Sequence, residues 1–188
     1  MRTQAMPAGP EWFGHPRGLF VCFATEMWER FSFYGMKYLL VLFLVQHHLF
    51  SDGEALRILG AYAALVYAMP LLGGIVSDRY LGQTKAVKLG GILLVLGHCA
   101  MAFEGVPATQ GIAGEIVRDD QAITVFYFAL ALIVVGVGLL KPNISTVVGR
   151  LYGENDPRRD GGFTIFYMGI NIGAASASLL CGWLARAY

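Results

Sequence analysis

Four ionisable residues interrupt a long apolar stretch near the start of the chain. Glu26, Glu29, Arg30 and Lys37 lie in a segment, about 17–49, whose other residues are mostly apolar. On a helix, spacings of three and four residues bring both carboxylates within reach of the guanidinium, and Lys37 returns to the same face two turns later. Such charges are costly within a membrane, so this pattern favours a proton relay or a charged-substrate site. A buried ion pair that only locks helix packing is the competing interpretation.

A further cation, Lys141, directly precedes Pro142 at the end of a later apolar run. Proline removes a backbone hydrogen bond, which membrane helices tolerate where a neighbour or a cavity satisfies the freed carbonyl. At a rise of 1.5 Å per residue, Glu26 and Lys141 each lie roughly 13 Å inside a terminal arginine, Arg17 and Arg150 respectively. The charges of two helices are therefore expected to share one level beside a cavity.

Other polar residues in the apolar runs carry weaker signals. By the same rise, Tyr67 and Asn171 lie roughly 16 Å from their nearest loops. Each alone is more often an interhelical hydrogen bonder than a ligand. His47 and His48 are expected to face water at the end of the first apolar run, and His98 to be a core histidine with a satisfied ring.

The composition indicates a membrane protein, because 56% of the 188 residues are hydrophobic and only 14% are charged. A helix needs about 20 apolar residues to cross the bilayer core. Five stretches meet or approach this length, and long charged side chains at their ends can reach the interface. The predicted spans are about 17–49, 56–78, 87–104, 121–149 and 162–186. The expected fold class is an all-α membrane protein with five transmembrane helices.

The charge distribution orients the chain and excludes some functions. Eight Lys and Arg residues fall on the side of the N-terminus and two on the opposite side, so the positive-inside rule places the N-terminus in the cytoplasm. The eight are Arg2, Arg17, Arg79, Lys85, Lys88, Arg150, Arg158 and Arg159, and the two are Arg57 and Arg118. A net charge of +1 offers no basic surplus for nucleic acid. Cys22, Cys99 and Cys181 are too widely spaced for a disulfide framework or a metal site.

Several short motifs accompany the charges. They are EMWERFSFYG at 26–35, GIVSDRYLGQTK at 74–85, LLKPNIS at 139–145 and FTIFYMGINIG at 163–173. Together they resemble the signatures of the proton-coupled oligopeptide transporter (POT) family within the major facilitator superfamily. The resemblance implies a fold of two six-helix bundles with substrate held between them. Residues 1–188 would form most of the N-terminal bundle and none of the C-terminal one.

The resemblance also implies roles for individual residues. It assigns proton coupling to the charged triplet of the first helix together with a later lysine, namely Glu26, Glu29, Arg30 and Lys141. It assigns peptide binding to Tyr34, Lys37, Tyr67, Lys141 and Asn171. It assigns gating to three loop residues, Asp78, Arg79 and Gly82. The chain departs from the common pattern at four positions. Phe33 replaces a frequent tyrosine, Lys37 a frequent arginine, and Gln83 and Thr84 replace commonly basic residues.

The combined expectation is a proton-coupled symporter that imports di- and tripeptides across the cytoplasmic membrane. Alternatives are a proton-coupled carrier of another small anion or amino acid, and a non-transporting membrane scaffold. The expected partners are the peptide, the lipid bilayer and the C-terminal bundle, without which the chain is not expected to transport. The proton is the expected coupling ion, without cofactor or metal. An enzyme is not expected, because the sequence has no nucleophile–base constellation and no phosphate-binding glycine loop.

Overall fold

The computed structural model describes residues 10–187, so Arg2, counted above, lies outside the described part. Five long helices dominate it. They are α1 (Arg17–Gln46), α2 (Asp52–Val76), α3 (Gln83–Met101), α4 (Asp120–Arg150) and α5 (Arg159–Ala187). Two antiparallel pairs of two-residue strands complete it: β1 (Glu11–Trp12) with β2 (His15–Pro16), and β3 (Thr109–Gln110) with β4 (Ile116–Val117).

Four of the described helical segments are long and apolar enough to cross a membrane. They are Asp52–Leu81, Gln83–Met101, Asp120–Arg150 and Arg159–Arg186. The remaining helix, α1, has 30 residues and so is about 45 Å long, but its central charges lower its hydropathy. Each helix begins and ends within a few residues of the corresponding predicted segment.

The chain divides into two compact units, which are described separately. Of the described residues, 10–39 and 144–187 form one unit, and 40–143 form the other. The first unit therefore holds the N-terminal part of α1, the last turns of α4 and all of α5. The second holds the end of α1, α2, α3 and most of α4.

Within residues 40–143, glycines bring helix backbones into direct contact. A Cβ atom on Gly73 of α2 would lie 1.9 Å from the carbonyl oxygen of Gly138 of α4. A Cβ atom on Gly90 of α3 would lie 2.7 Å from the carbonyl oxygen of Gly136. Such small residues allow the close approach by which membrane helices pack, since hydrophobic burial drives their association little in lipid. The apolar face of α4 is thereby enclosed by two neighbouring helices.

The gating loop expected between the predicted spans 56–78 and 87–104 is almost entirely helical, which corrects the sequence analysis. After α2 the chain continues as a π-helical segment, Ser77–Leu81, and α3 begins at Gln83. Only Gly82 joins them, with a φ of +74° that favours glycine. Lys85 and Lys88 therefore lie in the first turns of α3, because the chain reverses at one residue and needs no extended loop.

The residues after α3 pack back onto the end of α1. The amide of Ala108 donates to the carbonyl oxygen of His47 at 2.8 Å. Arg118 donates to the carbonyl oxygens of His48 and Leu49, at 2.7 and 2.9 Å, and its guanidinium lies 4.4 Å from the ring centroid of Phe50. These bonds satisfy the carbonyls that follow the end of α1 at Gln46.

His48 is buried in this connection, so the expectation that it faces water is wrong. Its side chain is almost fully enclosed, at 1% exposure, because the segment around Ala108 and Arg118 packs against the end of α1. The ring lies 4.9 Å from Phe43 and 4.8 Å from His47 between centroids. Neither ring nitrogen has a hydrogen-bond partner among the described residues.

His98, on α3, has the hydrogen-bonded ring that the sequence analysis expects, with its Nδ1 2.7 Å from the carbonyl oxygen of Leu94.

Acidification is expected to destabilise this connection through His48. Burial, followed by the positive charges of His47 and Arg118, lowers the pKa of His48 below its usual value, while Asp119 opposes the shift. Below about pH 6.5 the unfolded chain then binds more protons than the folded one. The free energy of unfolding is therefore not reduced by His48 above that pH, and it decreases as the pH falls toward the folded pKa. Replacing His48 with leucine should reduce the drop in unfolding temperature between about pH 7.5 and about pH 5.5.

The measurement is thermal unfolding of the purified full-length protein and of H48L across this range. Between about pH 7.5 and about pH 8.5, where neutral histidine predominates, the two proteins should respond equally, which provides the internal control. An equal acid-induced drop in both proteins would show that another group controls the effect.

Candidate functional site

The charged triplet of α1 forms one buried cluster. Arg30 donates from Nε to Oε2 of Glu29 at 2.5 Å and from Nη2 to Oε1 of Glu29 at 2.7 Å. Its Nε also lies 3.5 Å from Oε1 of Glu26. Glu26, Glu29 and Arg30 are 3%, 6% and 5% exposed, so water does not screen these charges strongly. The structure thus places both carboxylates against one guanidinium, as the sequence spacing predicts.

The bond between Glu29 and Arg30 has a geometry that helix spacing alone does not predict. Neighbouring residues on a helix usually point apart. The long arginine side chain nevertheless reaches its neighbour, and the planar guanidinium matches both carboxylate oxygens at once. Glu29 therefore holds the strong bidentate pair, and Glu26 makes the looser contact.

Phe33 lies between two cations of α1 and was missed as an organising residue. The Arg30 guanidinium is 5.2 Å from the Phe33 ring centroid, and Nζ of Lys37 is 5.0 Å from it. Nζ of Lys37 is also 5.9 Å from the Tyr34 ring. The spacing could have revealed this arrangement, since Phe33 follows Arg30 by three positions and precedes Lys37 by four. Cationic groups and aromatic rings thus alternate along one face of α1.

Glycines bring α5 against α1 on both sides of Asn171. A Cβ atom on Gly169 would lie 2.8 Å from the Phe23 ring, and one on Gly173 would lie 2.1 Å from the carbonyl oxygen of Met27. Asn171 itself is exposed. The close contact fixes the level of Asn171 along α1, and the predicted role of Asn171 in substrate binding stays a prediction.

Within residues 40–143, Lys141 approaches Tyr67. Nζ of Lys141 lies 5.2 Å from the ring centroid of Tyr67, which is itself 59% exposed. Helix α4 runs through Pro142 without interruption. The two predicted substrate-binding residues of α2 and α4 are therefore neighbours. The predicted pairing of Lys141 with the charged triplet joins residues of the two units and stays a prediction.

A buried polar pair beside Pro142 was also missed by the sequence analysis. The hydroxyl of Ser77 donates to Oδ1 of Asn143, and Nδ2 of Asn143 donates to the carbonyl oxygen of Leu139 at 2.7 Å. Both Ser77 and Asn143 are almost fully buried. This pair ties the end of α2 to α4 just where proline weakens the hydrogen bonding of α4.

The predicted gating residues lie around the tight connection from α2 to α3. Asp78 and Arg79 are exposed on the π-helical segment, and Gly82 forms the turn. Oδ1 of Asp78 accepts a hydrogen bond from Nε2 of Gln83 at 3.0 Å. Gln83 therefore serves as a neutral hydrogen-bond partner of Asp78.

One cavity of about 320 Å³ lies between α2 and α4. Apolar and aromatic side chains line it, including those of Ile58, Tyr62, Met69 and Val134. Lys141 and Pro142 do not line it, so it is not the cavity predicted beside them. In residues 10–187, no group of three His, Cys, Asp or Glu side chains is placed to hold a metal ion.

The arrangement suits proton exchange and ion pairing in a membrane. With all three members ionised, the cluster of two carboxylates and one guanidinium carries one net negative charge, which uptake of a single proton neutralises. Each unit also holds a partly buried cation beside an aromatic ring, Lys37 in the first unit and Lys141 in the second. Each of these cations can pair with the carboxylate of a small solute, and the carboxylates of the triplet can pair with an ammonium group.

Comparison with known proteins places this arrangement in a family. The model of the POT family matches residues 84–188. A peptide transporter of Yersinia enterocolitica is 43% identical over 97% of the chain and 34% of its own length. A di-/tripeptide transporter of Lactococcus lactis is 42% identical over 93% of the chain and 33% of its own length.

A solved structure shows the same fold. A crystal structure of a peptide transporter POT in complex with sulfate superimposes with a TM-score of 0.82 at 41% identity, covering 98% of this chain and 35% of the other. The chain thus spans about a third of the length of the relatives that it matches. The all-α membrane fold expected from the motifs is confirmed. The chain belongs to the POT family.

Proposed function

We propose that the full-length protein is a proton-coupled symporter that imports di- and tripeptides across the cytoplasmic membrane. The proton is its coupling ion, and it uses no cofactor. The peptide specificity named for the Yersinia and Lactococcus relatives supports this substrate class. Residues 1–188 supply one half of the substrate site, and a C-terminal bundle supplies the other half.

The buried triplet is the observation that carries the proposal. An ion pair kept only for helix packing needs one carboxylate for one guanidinium, and this cluster has a second carboxylate 3.5 Å from Arg30. A second carboxylate is more than packing requires, and ionisable groups held within a membrane commonly form proton relays. A cluster in which one carboxylate takes up a proton while the other keeps the guanidinium is suited to binding and releasing a proton.

Coupling follows from competition between carboxylates for the same cations. Protonation of Glu29 would replace its charge-assisted bonds to Arg30 with weaker ones and leave the guanidinium short of negative charge. A peptide carboxylate could then pair with Arg30, or with Lys37 beyond Phe33. Departure of the peptide would restore the bond to Glu29 and release the proton. Proton and peptide therefore favour each other's binding, as reciprocal linkage requires.

We assign peptide contacts to the residues that surround these cations. A zwitterionic peptide needs a cation for its carboxylate and acceptors for its ammonium group, while aromatic walls accept variable side chains. The assigned residues are Tyr34, Lys37, Tyr67, Lys141 and Asn171. Lysine presents a point charge and lacks the bidentate fork of arginine, so Lys37 should orient the peptide carboxylate loosely and tolerate varied peptides.

Gating is assigned to Asp78, Arg79 and Gly82, because the single-residue turn at Gly82 makes this connection compact. The N-terminus is assigned to the cytoplasm by the excess of Lys and Arg on that side. The Asp78–Arg79 segment then also lies at the cytoplasmic surface, where it can control access to the site.

Reconstitution tests the function. The purified full-length protein in liposomes, given an inward proton gradient and an inside-negative potential, should accumulate a labelled dipeptide. Unlabelled di- and tripeptides should compete, whereas single amino acids and small organic anions should not. Competition only by amino acids or anions would favour the alternative carrier. Absence of substrate-dependent proton flux would favour a membrane scaffold.

A further inference from the structure

The hairpin before α1 carries an aromatic residue at its tip. Trp12 pairs with His15, so Phe13 and Gly14 form the whole turn. Their φ angles are +50° and +77°, as a type I′ turn requires. Asn, Asp and Gly usually occupy such turns, and a bulky aromatic residue at positive φ is an outlier. The turn therefore holds Phe13 in a backbone conformation that this residue type disfavours.

Packing among residues 10–187 does not explain this conformation. The Phe13 side chain is 94% exposed, and Trp12 is 50% exposed. Both rings lie beside Phe20 on the first turn of α1, with centroid separations of 6.0 and 6.1 Å. The guanidinium of Arg17 lies 5.0 Å from the Trp12 ring. Exposed Trp12, Phe13 and Arg17, with half-buried Phe20, form one aromatic patch on the surface.

Polar contacts hold the hairpin in place behind this patch. Nη1 of Arg158 donates to Oε1 of Glu11 and to the carbonyl oxygen of Gly14, both at 2.9 Å. Nδ1 of His15 lies 2.8 Å from the hydroxyl of Tyr152. Residues of the connection between α4 and α5 thus hold the turn, so the hairpin that carries Phe13 is fixed in position.

We propose that the aromatic patch inserts into the headgroup region of the lipid leaflet beside the start of α1, where Arg17 contacts lipid phosphate. Tryptophan and arginine are enriched at this level of membrane proteins, because their apolar parts enter the acyl boundary while their polar groups reach water or phosphate. Trp12 and Phe13 lie a few residues before α1, and Arg17 and Phe20 lie in its first turn, so the patch is at the level where this membrane helix begins. The favourable transfer of an exposed phenyl ring into this region offsets the strain of the turn. This proposal concerns membrane anchoring and does not depend on the transport proposal.

A spin label at position 13 tests the proposal. The full-length protein, in a background without accessible cysteines, carries F13C and is placed in nanodiscs of phosphatidylcholine and phosphatidylglycerol. Oxygen, which partitions into lipid, should relax the label more than a water-soluble nickel chelate does. The matched control is N155C, in the exposed connection between α4 and α5, where the nickel chelate should be more effective. A label at position 13 that behaves like the control, or is shielded from both reagents by protein, would overturn the proposal.

A second measurement covers the case in which F13C disturbs the turn. Brominated phosphatidylcholine quenches the fluorescence of tryptophan side chains that contact lipid. The fluorescence of Trp12 is obtained as the difference between the unsubstituted protein and W12F. Quenching of this difference signal is expected, and its absence would contradict lipid insertion. The variant F13N should retain the hairpin, because asparagine accepts positive φ, and its Trp12 should be quenched less.

Discussion

Replacing Glu29 with glutamine in the full-length carrier is expected to abolish proton-driven accumulation of dipeptide while sparing exchange of peptide across the membrane. Glutamine keeps the size of the side chain and one carbonyl acceptor for Arg30, but it neither ionises nor carries a proton. A proton moving down about 100 mV contributes about 2.3 kcal/mol, which corresponds to roughly 50-fold accumulation. In E29Q the accumulation ratio should fall to about one, because peptide then equilibrates without the driving force.

Uptake and counterflow of a labelled dipeptide in the same liposomes measure this difference. E154Q is the matched control, since Glu154 is an exposed carboxylate in the connection between α4 and α5 and should leave accumulation unchanged. Concentrative uptake retained by E29Q would remove Glu29 from proton coupling. Loss of both uptake and counterflow would show that Glu29 is needed for the structure of the site.

Local spacing is enough to predict the cluster on α1. Glu26 and Arg30 are four residues apart on one helix, and such pairs meet whatever the rest of the fold does. Because charges are costly within a membrane, the residue types alone also favour a functional interpretation of this cluster. The cost of a charge within an apolar run also marks Lys141 as a candidate functional residue. Its contact with Tyr67, on another helix, cannot be predicted from the sequence of either helix alone.

Contacts between distant segments account for what sequence reasoning missed. His48 is buried because residues near Ala108 and Arg118 pack against the end of α1, and nothing in the local pattern around His48 reports that. Ser77 and Asn143 are both short polar residues near predicted span ends, and only the approach of α2 to α4 makes them partners. The reversal at Gly82 was hidden for another reason: the charges around it are typical of a loop, although the backbone stays helical on both sides.

That approach of α2 to α4 leads to the largest expected effect on stability. Substituting Gly73 with alanine is expected to destabilise the carrier by roughly 3 kcal/mol, at the upper end of what overpacking usually costs. The new methyl group would meet backbone atoms, the carbonyl oxygen of Gly138 at 1.9 Å and the amide nitrogen of Leu139 at 3.0 Å. Backbone cannot rotate away as a flexible side chain does, so the two helices must separate and lose contacts along their length.

The control lies on the same helix. Nothing comes within 4 Å of a Cβ atom built on Gly60, so alanine there should be neutral or should stabilise α2 by up to about 1 kcal/mol. Thermal unfolding of both variants of the full-length protein in detergent separates the two effects: G73A should unfold at a clearly lower temperature than the unchanged protein, and G60A at the same or a higher one. If G73A unfolded at the same temperature as G60A, the direct backbone contact between α2 and α4 would be refuted. The geometry that joins Ser77 to Asn143 beside Lys141 would be refuted with it.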